Sequence, residues 1–224
     1  MSNLLPLDLF TDATSIWLSD KFTEQSILGY MGKNLENWLN QVLDELGVKD
    51  TPKILGNVHP AAFISGRVYI AAGATIEPTA YIQGPCIIGP DAEIRHAAYI
   101  RGNAWIGAKA VVGHTSEVKG AVFLDEAKAG HFAYVGDGFL GRSVNLGAGT
   151  KLANLKLKGT EVKVKHPITA DLISTGLRKM SAVMGDRAQT GCNSVLSPGS
   201  ILMPDTAVLP CVHFQGTLLK GFAR

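Results

Sequence analysis

The chain has 224 residues, 46% of them hydrophobic and 18% charged, with a formal net charge of +2. That length suffices for one domain with its own core. The absence of a single-sign charge run or an apolar stretch of roughly 18 residues argues against a nucleic-acid partner and a membrane span. Three cysteines, Cys86, Cys192 and Cys211, are too few and too scattered for a disulfide framework or a zinc knuckle. The N-terminus lacks the basic-then-apolar order of a signal peptide, so a cytoplasmic location is expected.

The first segment reads as helical. Leu35, Trp38, Leu39, Val42, Leu43 and Leu46 recur at amphipathic helix spacing. Asn34 is placed to cap the start of this helix and Gly47 its end. Residues 1–51 are therefore expected to form a helical cap over the first coil of the repeat region that begins near residue 52, with partner docking as the alternative.

From Val58 the chain repeats every six residues. Ile64, Ile70, Ile76, Ile82, Ile88, Ile94, Ile100, Ile106, Val112, Val118 and Leu124 are all aliphatic. Four residues after most of them stands a small residue, such as Ala74, Ala80, Cys86, Ala92, Ala98, Ala104, Ala110 or Ser116. A period of six fits neither an amphipathic helix nor a simple alternating strand. It fits a short strand plus a turn, with three such units closing a triangular coil whose neighbours stack in parallel. The expected fold is all-β: a left-handed parallel β-helix with a short α-helical N-terminal cap.

The register then slips. Tyr134, Leu140, Leu146 and Leu152 keep the six-residue step but are offset from the first series. A basic interruption spans about residues 155–182, and the step resumes at Met184, Thr190, Leu196, Leu202, Val208 and Phe214. The β-helix is thus expected over residues 52–216 with an inserted basic loop, and residues 217–224 as a tail. Loops that leave a solenoid often carry its site, although a solvated excursion explains this one as well.

Four stretches are specific: Glu117-Val118-Lys119, Lys128 through Asp137, Val144 through Thr150, and Ala153-Asn154-Leu155. They resemble the acetyltransferase half of the bifunctional UDP-N-acetylglucosamine pyrophosphorylase/glucosamine-1-phosphate acetyltransferase family. The segment Ser174 through Lys179, with Gly185-Asp186 and Thr190 through Asn193, looks most like its archaeal-type branch. The resemblance covers about residues 52–210 and is strongest over 101–154. It implies a homotrimeric β-helix that uses acetyl-CoA as co-substrate, acts on an aminosugar phosphate and needs no metal. By matching position, His131 corresponds to the catalytic base and Glu117 to an acidic residue beside the sugar. Arg101, Lys119, Tyr134, Asn145 and Lys163 correspond to residues around the sugar phosphate. Ala148 and Asn154 lie where the family meets the thioester, and Cys192 stands in place of a coenzyme-contacting serine. No counterpart of the family's nucleotide-binding domain is expected here, with fifty helical residues in its place.

The chemistry of these residue types agrees with that reading. Acetylation needs a neutral amine, and histidine accepts a proton near pH 7. Arginine and lysine suit a phosphate, and the Asn154 amide or a backbone N–H suits an oxyanion. Arg101 and Lys119 are eighteen residues apart, so the coil stacks them, and His131 is expected to converge with them one coil on. A rival constellation is His96, His114 and His131, whose spacing resembles the three-histidine zinc site of γ-class carbonic anhydrases. A third reading is a non-catalytic sugar-nucleotide-binding β-helix that partners a nucleotidyltransferase.

Overall fold

The structure is a computed structural model that describes residues 5–224. Strands of two to four residues build three parallel sheets of nine, nine and eight strands. Successive strands visit the three sheets in turn, so each coil adds one strand to each. This is the hexapeptide-type left-handed β-helix that the repeat predicts. Among the described residues no helix is long and apolar enough to cross a membrane.

The six-residue period becomes three inward columns. In the first sheet Ile70, Ile88, Ile106, Phe123, Leu140, Met184 and Leu202 stack in register. The second stacks Ile76, Ile94, Val112, Ala129, Leu146, Thr190 and Val208. The third stacks Ile82, Ile100, Val118, Val135, Leu152, Leu196 and Phe214. Burying one such side chain per strand stabilises each by roughly 1.5–3 kcal/mol, and the alanines fill the corners between columns. Thr190 is tolerated inside because its hydroxyl is 2.8 Å from that of Thr150 and accepts from the Gly147 amide.

The slip is smaller than the spacing suggests and falls elsewhere. Ile106 pairs with Phe123 and Val118 with Val135, seventeen residues on. Two five-residue units, Val118 to Phe123 and Val135 to Leu140, omit one corner residue each. Phe123 and Val135 therefore point inward in place of Leu124 and Tyr134. Leu124 joins a second core, and Tyr134 stands on the outer surface of the third sheet.

That second core explains the N-terminal segment. Six successive outward residues of the first sheet, Ile87, Trp105, Val122, Phe139, Val183 and Ile201, are fully buried. Short 3-10 turns and the α-helix Gly32–Glu45 lie over them, packing Phe10, Ile27, Tyr30, Leu35, Leu39 and Leu43 into the same cluster. The segment thus seals one face of the prism instead of capping its first coil, and the opening strand Lys53–Ile54 remains exposed. The reason is area: a column of large apolar side chains on an outer face needs a cover. Arg67 fastens that cover, donating to the Asn40 side chain at 2.9 Å and the Val48 carbonyl at 2.8 Å.

Asn34 does not cap the helix. Met31 occupies that position, and the Asn34 amide donates to the Leu28 carbonyl inside the first turn. Gly47 ends the helix as expected, at φ +72° with its N–H on Asp44 and the Val48 N–H on Leu43. The inserted loop is partly structured. Lys163–Lys165 and Leu172–Ser174 form an antiparallel hairpin, and Val162 and Val164 pack into the second core. The final residues, read as a tail, instead contribute strands Thr217–Leu218 and Phe222–Ala223 to two of the sheets.

Candidate functional site

The irregular coil around His131 is built from several local devices. Its strand, Lys128–His131, lies so close to Val111–His114 that a Cβ on Gly113 would meet the Gly130 oxygen at 1.7 Å. The buried Ser116 hydroxyl donates to the Ala129 carbonyl at 3.0 Å and accepts from the Ala133 amide at 3.2 Å. It thereby clamps both ends of the bend. Phe132 takes the corner at φ +34°, a conformation few non-glycine residues adopt, and is 54% exposed. The His131 side chain is left pointing outward.

It points into an open groove of about 730 Å³ along the outer face of the second sheet. Asp91, Glu93, Arg95 and Lys109 line the groove on the earlier coils, Lys128 on the strand of His131 itself, and Asn145, Ala148 and Cys192 on the later coils. Four residues selected by the resemblance, His131, Asn145, Ala148 and Cys192, therefore share one wall. Among the described residues, the His131 ring nitrogens have no protein hydrogen-bond partner.

A second group forms on the outer face of the third sheet. Tyr99, Glu117 and Tyr134 are in register on successive coils. Arg101 reaches Glu117 at 2.6 Å and lies 5.7 Å from the Tyr99 ring centre. The Glu117 carboxylate holds the Arg101 guanidinium above its ordinary range. Lys119 is 3.7 Å from Asp137, and the Asn154 amide donates to the same carboxylate. A side chain on Gly136 would meet the Tyr134 hydroxyl at 2.5 Å and the Asn154 amide nitrogen at 2.7 Å. Glycine is needed there for space alone. Burial, followed by the nearby Glu117 and Asp137 carboxylates, raises the Tyr134 phenol above its usual value.

The expected convergence of Arg101, Lys119 and His131 does not occur within one chain. His131 ends a strand of the second sheet. Arg101 and Lys119 end strands of the third, beyond the corner and about 7 Å of strand. Lys163 is also separate, on the hairpin that covers the first sheet, where it helps hold the Glu161 carboxyl low behind the stronger effects of Ser174 and Gly176. One of the two Asn154 amide hydrogens is engaged by the Asp137 carboxylate. Sequence reasoning assigned no role to Asp137, although it stands within the matched motif.

His96 and His114 stack in parallel at 5.3 Å, each with Nδ1 3.2 Å from a backbone carbonyl oxygen, and His114 pairs with His131 by register. Among the described residues no group of three or more His, Cys, Asp or Glu side chains is placed to hold a metal ion.

Fold and site together define a hexapeptide-repeat β-helix with a polar corner between two open faces. Residues 82–174 match the family model described as GMPPB C-terminal domain. A bifunctional sugar-1-phosphate nucleotidylyltransferase/acetyltransferase of Sulfurisphaera tokodaii is 40% identical over 79 residues, 35% of this chain and 19% of that protein. The bifunctional protein GlmU of Prochlorococcus marinus is 38% identical over 82 residues, 37% of this chain and 14% of that one. The uncharacterized acetyltransferase YaiX of Escherichia coli is 30% identical over 101 residues, 45% of this chain and 43% of that one. A solved hexapeptide transferase family protein from Anaplasma phagocytophilum aligns with 18% identity over 67% of this chain and 68% of that one, at a TM-score of 0.30. The shared stretch is thus less than half of each of these curated relatives. Over its β-helix the chain resembles the acetyltransferase-type hexapeptide-repeat proteins, as its sequence motifs suggest.

Proposed function

We propose that this chain is an acyl-CoA-dependent N-acetyltransferase acting on an aminosugar phosphate such as glucosamine-1-phosphate. The observation that carries the reading is the outward His131, held by the Ser116 clamp in a groove shared with Asn145, Ala148 and Cys192. His131 accepts a proton from the aminosugar ammonium. The freed amine attacks the thioester carbonyl, and a backbone N–H stabilises the oxyanion. The tetrahedral adduct then expels the coenzyme thiolate as its nitrogen gives up a proton, and the thiolate takes up one proton to leave as the free thiol. Lys119 and Arg101 provide cationic ends for the phosphate, Tyr134 and Glu117 flank the sugar, and Asn154 orients a polar group of the donor through its carbonyl oxygen. A homotrimer fits this division of labour. A symmetric neighbour that lays its third sheet against this groove would bring its polar cluster to His131.

A second reading is a sugar-nucleotide-binding β-helix that serves a nucleotidyltransferase. It is favoured by the matched model's description as a C-terminal domain. A thiol-release assay with acetyl-CoA and glucosamine-1-phosphate separates the two. The first reading expects turnover that His131→Ala lowers at least about 100-fold with the melting temperature unchanged. A variant as active as wild type sinks His131 as the base. A folded wild type with no turnover sinks the activity, and tight binding of a nucleotide sugar would then establish the second reading.

A further inference from the structure

Asp137 is 7% exposed, yet it is a carboxylate on a corner of a solenoid. The corner itself does not require one. One coil earlier the same position is Gly120, also in the left-handed region at φ +59°, whereas Asp137 holds φ +49° despite its side chain. Space is cleared for the carboxylate, since a Cβ on Gly120 would sit 2.6 Å from its Oδ1. A buried carboxylate is costly unless its oxygens are paired. Its partners are the Asn154 amide and, at 3.7 Å, the Lys119 ammonium.

The backbone adds a second tie. The Asp137 N–H donates to the Lys119 carbonyl at 2.7 Å, and its own carbonyl accepts from the Ser181 amide at 2.9 Å. The Asn154 carbonyl accepts from Met180 at 3.0 Å. Asp137 therefore joins residues on both sides of the insertion, which leaves after Asn154 and returns at Met180.

We propose that Asp137 is a positioning residue, resting on the acetyltransferase reading: its carboxylate fixes the Lys119 ammonium for the acceptor phosphate and turns the Asn154 amide so that its carbonyl oxygen faces the reactants. It touches no substrate itself. Its two oxygens serve two partners, so the two functions separate by substitution. Asp137→Asn retains an oxygen for the Asn154 amide, loses the charge that draws Lys119, and tolerates the left-handed corner well. Asp137→Ala loses both.

Wild-type turnover of glucosamine-1-phosphate is measured first, so that failure of the acetyltransferase reading shows there. Position is then read without any substrate, from the side-chain amide signals of Asn154 in nitrogen-15 NMR. Wild type and Asp137→Asn are expected to give two separate, slowly exchanging hydrogens, and Asp137→Ala a fast-exchanging pair. Unchanged signals in Asp137→Ala overturn the proposal whether or not the chain is active. In an active chain, Asp137→Asn raises the KM for glucosamine-1-phosphate about tenfold or more with kcat within about threefold. The doubly substituted Asp137→Ala, Asn154→Ala enzyme loses no more kcat than Asn154→Ala alone. An unchanged KM or fully additive losses overturn it.

Discussion

The outer faces of the first and third sheets are built on the same coil, yet one is sealed and the other open. On the first, Ile87, Trp105, Val122, Phe139, Val183 and Ile201 lie at 0% exposure beneath the N-terminal segment. On the third, Phe63, Tyr81 and Tyr99 are 53%, 39% and 41% exposed, followed by the charged and polar cluster around Glu117 and Tyr134. The inward residues of the two sheets are nearly interchangeable. The inward half of each strand specifies the solenoid, and the outward half decides whether that face gains a cover or a site.

Substitution on the sealed face tests this contrast most severely. Trp105→Ala should cost about 3–5 kcal/mol, read from chemical denaturation. Trp105→Phe should cost much less, because the indole N–H is buried without an acceptor and phenylalanine removes that penalty. Tyr99→Ala on the open face should stay within about 1 kcal/mol. A loss as large as that of Trp105→Ala, measured on the dissociated single chain, would break the comparison.

Gly136→Ala sharpens the contrast within the open face. Its methyl group would displace the Tyr134 hydroxyl and the Asn154 amide, for a loss of about 1–3 kcal/mol by overpacking. Acceptor turnover should fall more than stability does. Equal turnover in the folded variant would remove Tyr134 and Asn154 from the site.

The smallest effect is a titration. Burial and the neighbouring carboxylates raise the Tyr134 phenol, so folding favours its protonated form. The resulting stability is complete below the unfolded value of about 10 and is lost as pH rises through the higher folded value. The absorbance difference between wild type and Tyr134→Phe should therefore show phenolate appearing later than in the unfolded chain. Ionisation at or before the unfolded value would contradict the half-buried placement.

Much of this was legible along the chain. The aliphatic column from Ile64 to Val118 and its resumption from Met184 to Phe214 matched the three inward stacks directly, because each strand turns one residue of that column into the core. The slip misled by one residue. Leu124 and Tyr134 continue a six-residue step, but a corner closed by a single residue makes the step five and turns Phe123 and Val135 inward. A signal for the cover was present and unread: Tyr69, Ile87 and Trp105 each precede an inward isoleucine at eighteen-residue intervals. The site was half legible. Its residue types followed from motif and chemistry, but the division of His131 from Arg101 and Lys119 depends on which side of a corner each strand ends.

The sequence by itself determined the solenoid, its coil length, the helix end at Gly47 and the residues with chemistry to offer, because strand period and side-chain type are local properties. Tertiary structure alone decided that the N-terminal segment lies across a face and that the insertion folds down beside it. It also decided that Asp137 closes on Lys119 and Asn154. Those outcomes depend on which outward surfaces meet and which buried charges find partners, and such pairings join residues far apart along the chain.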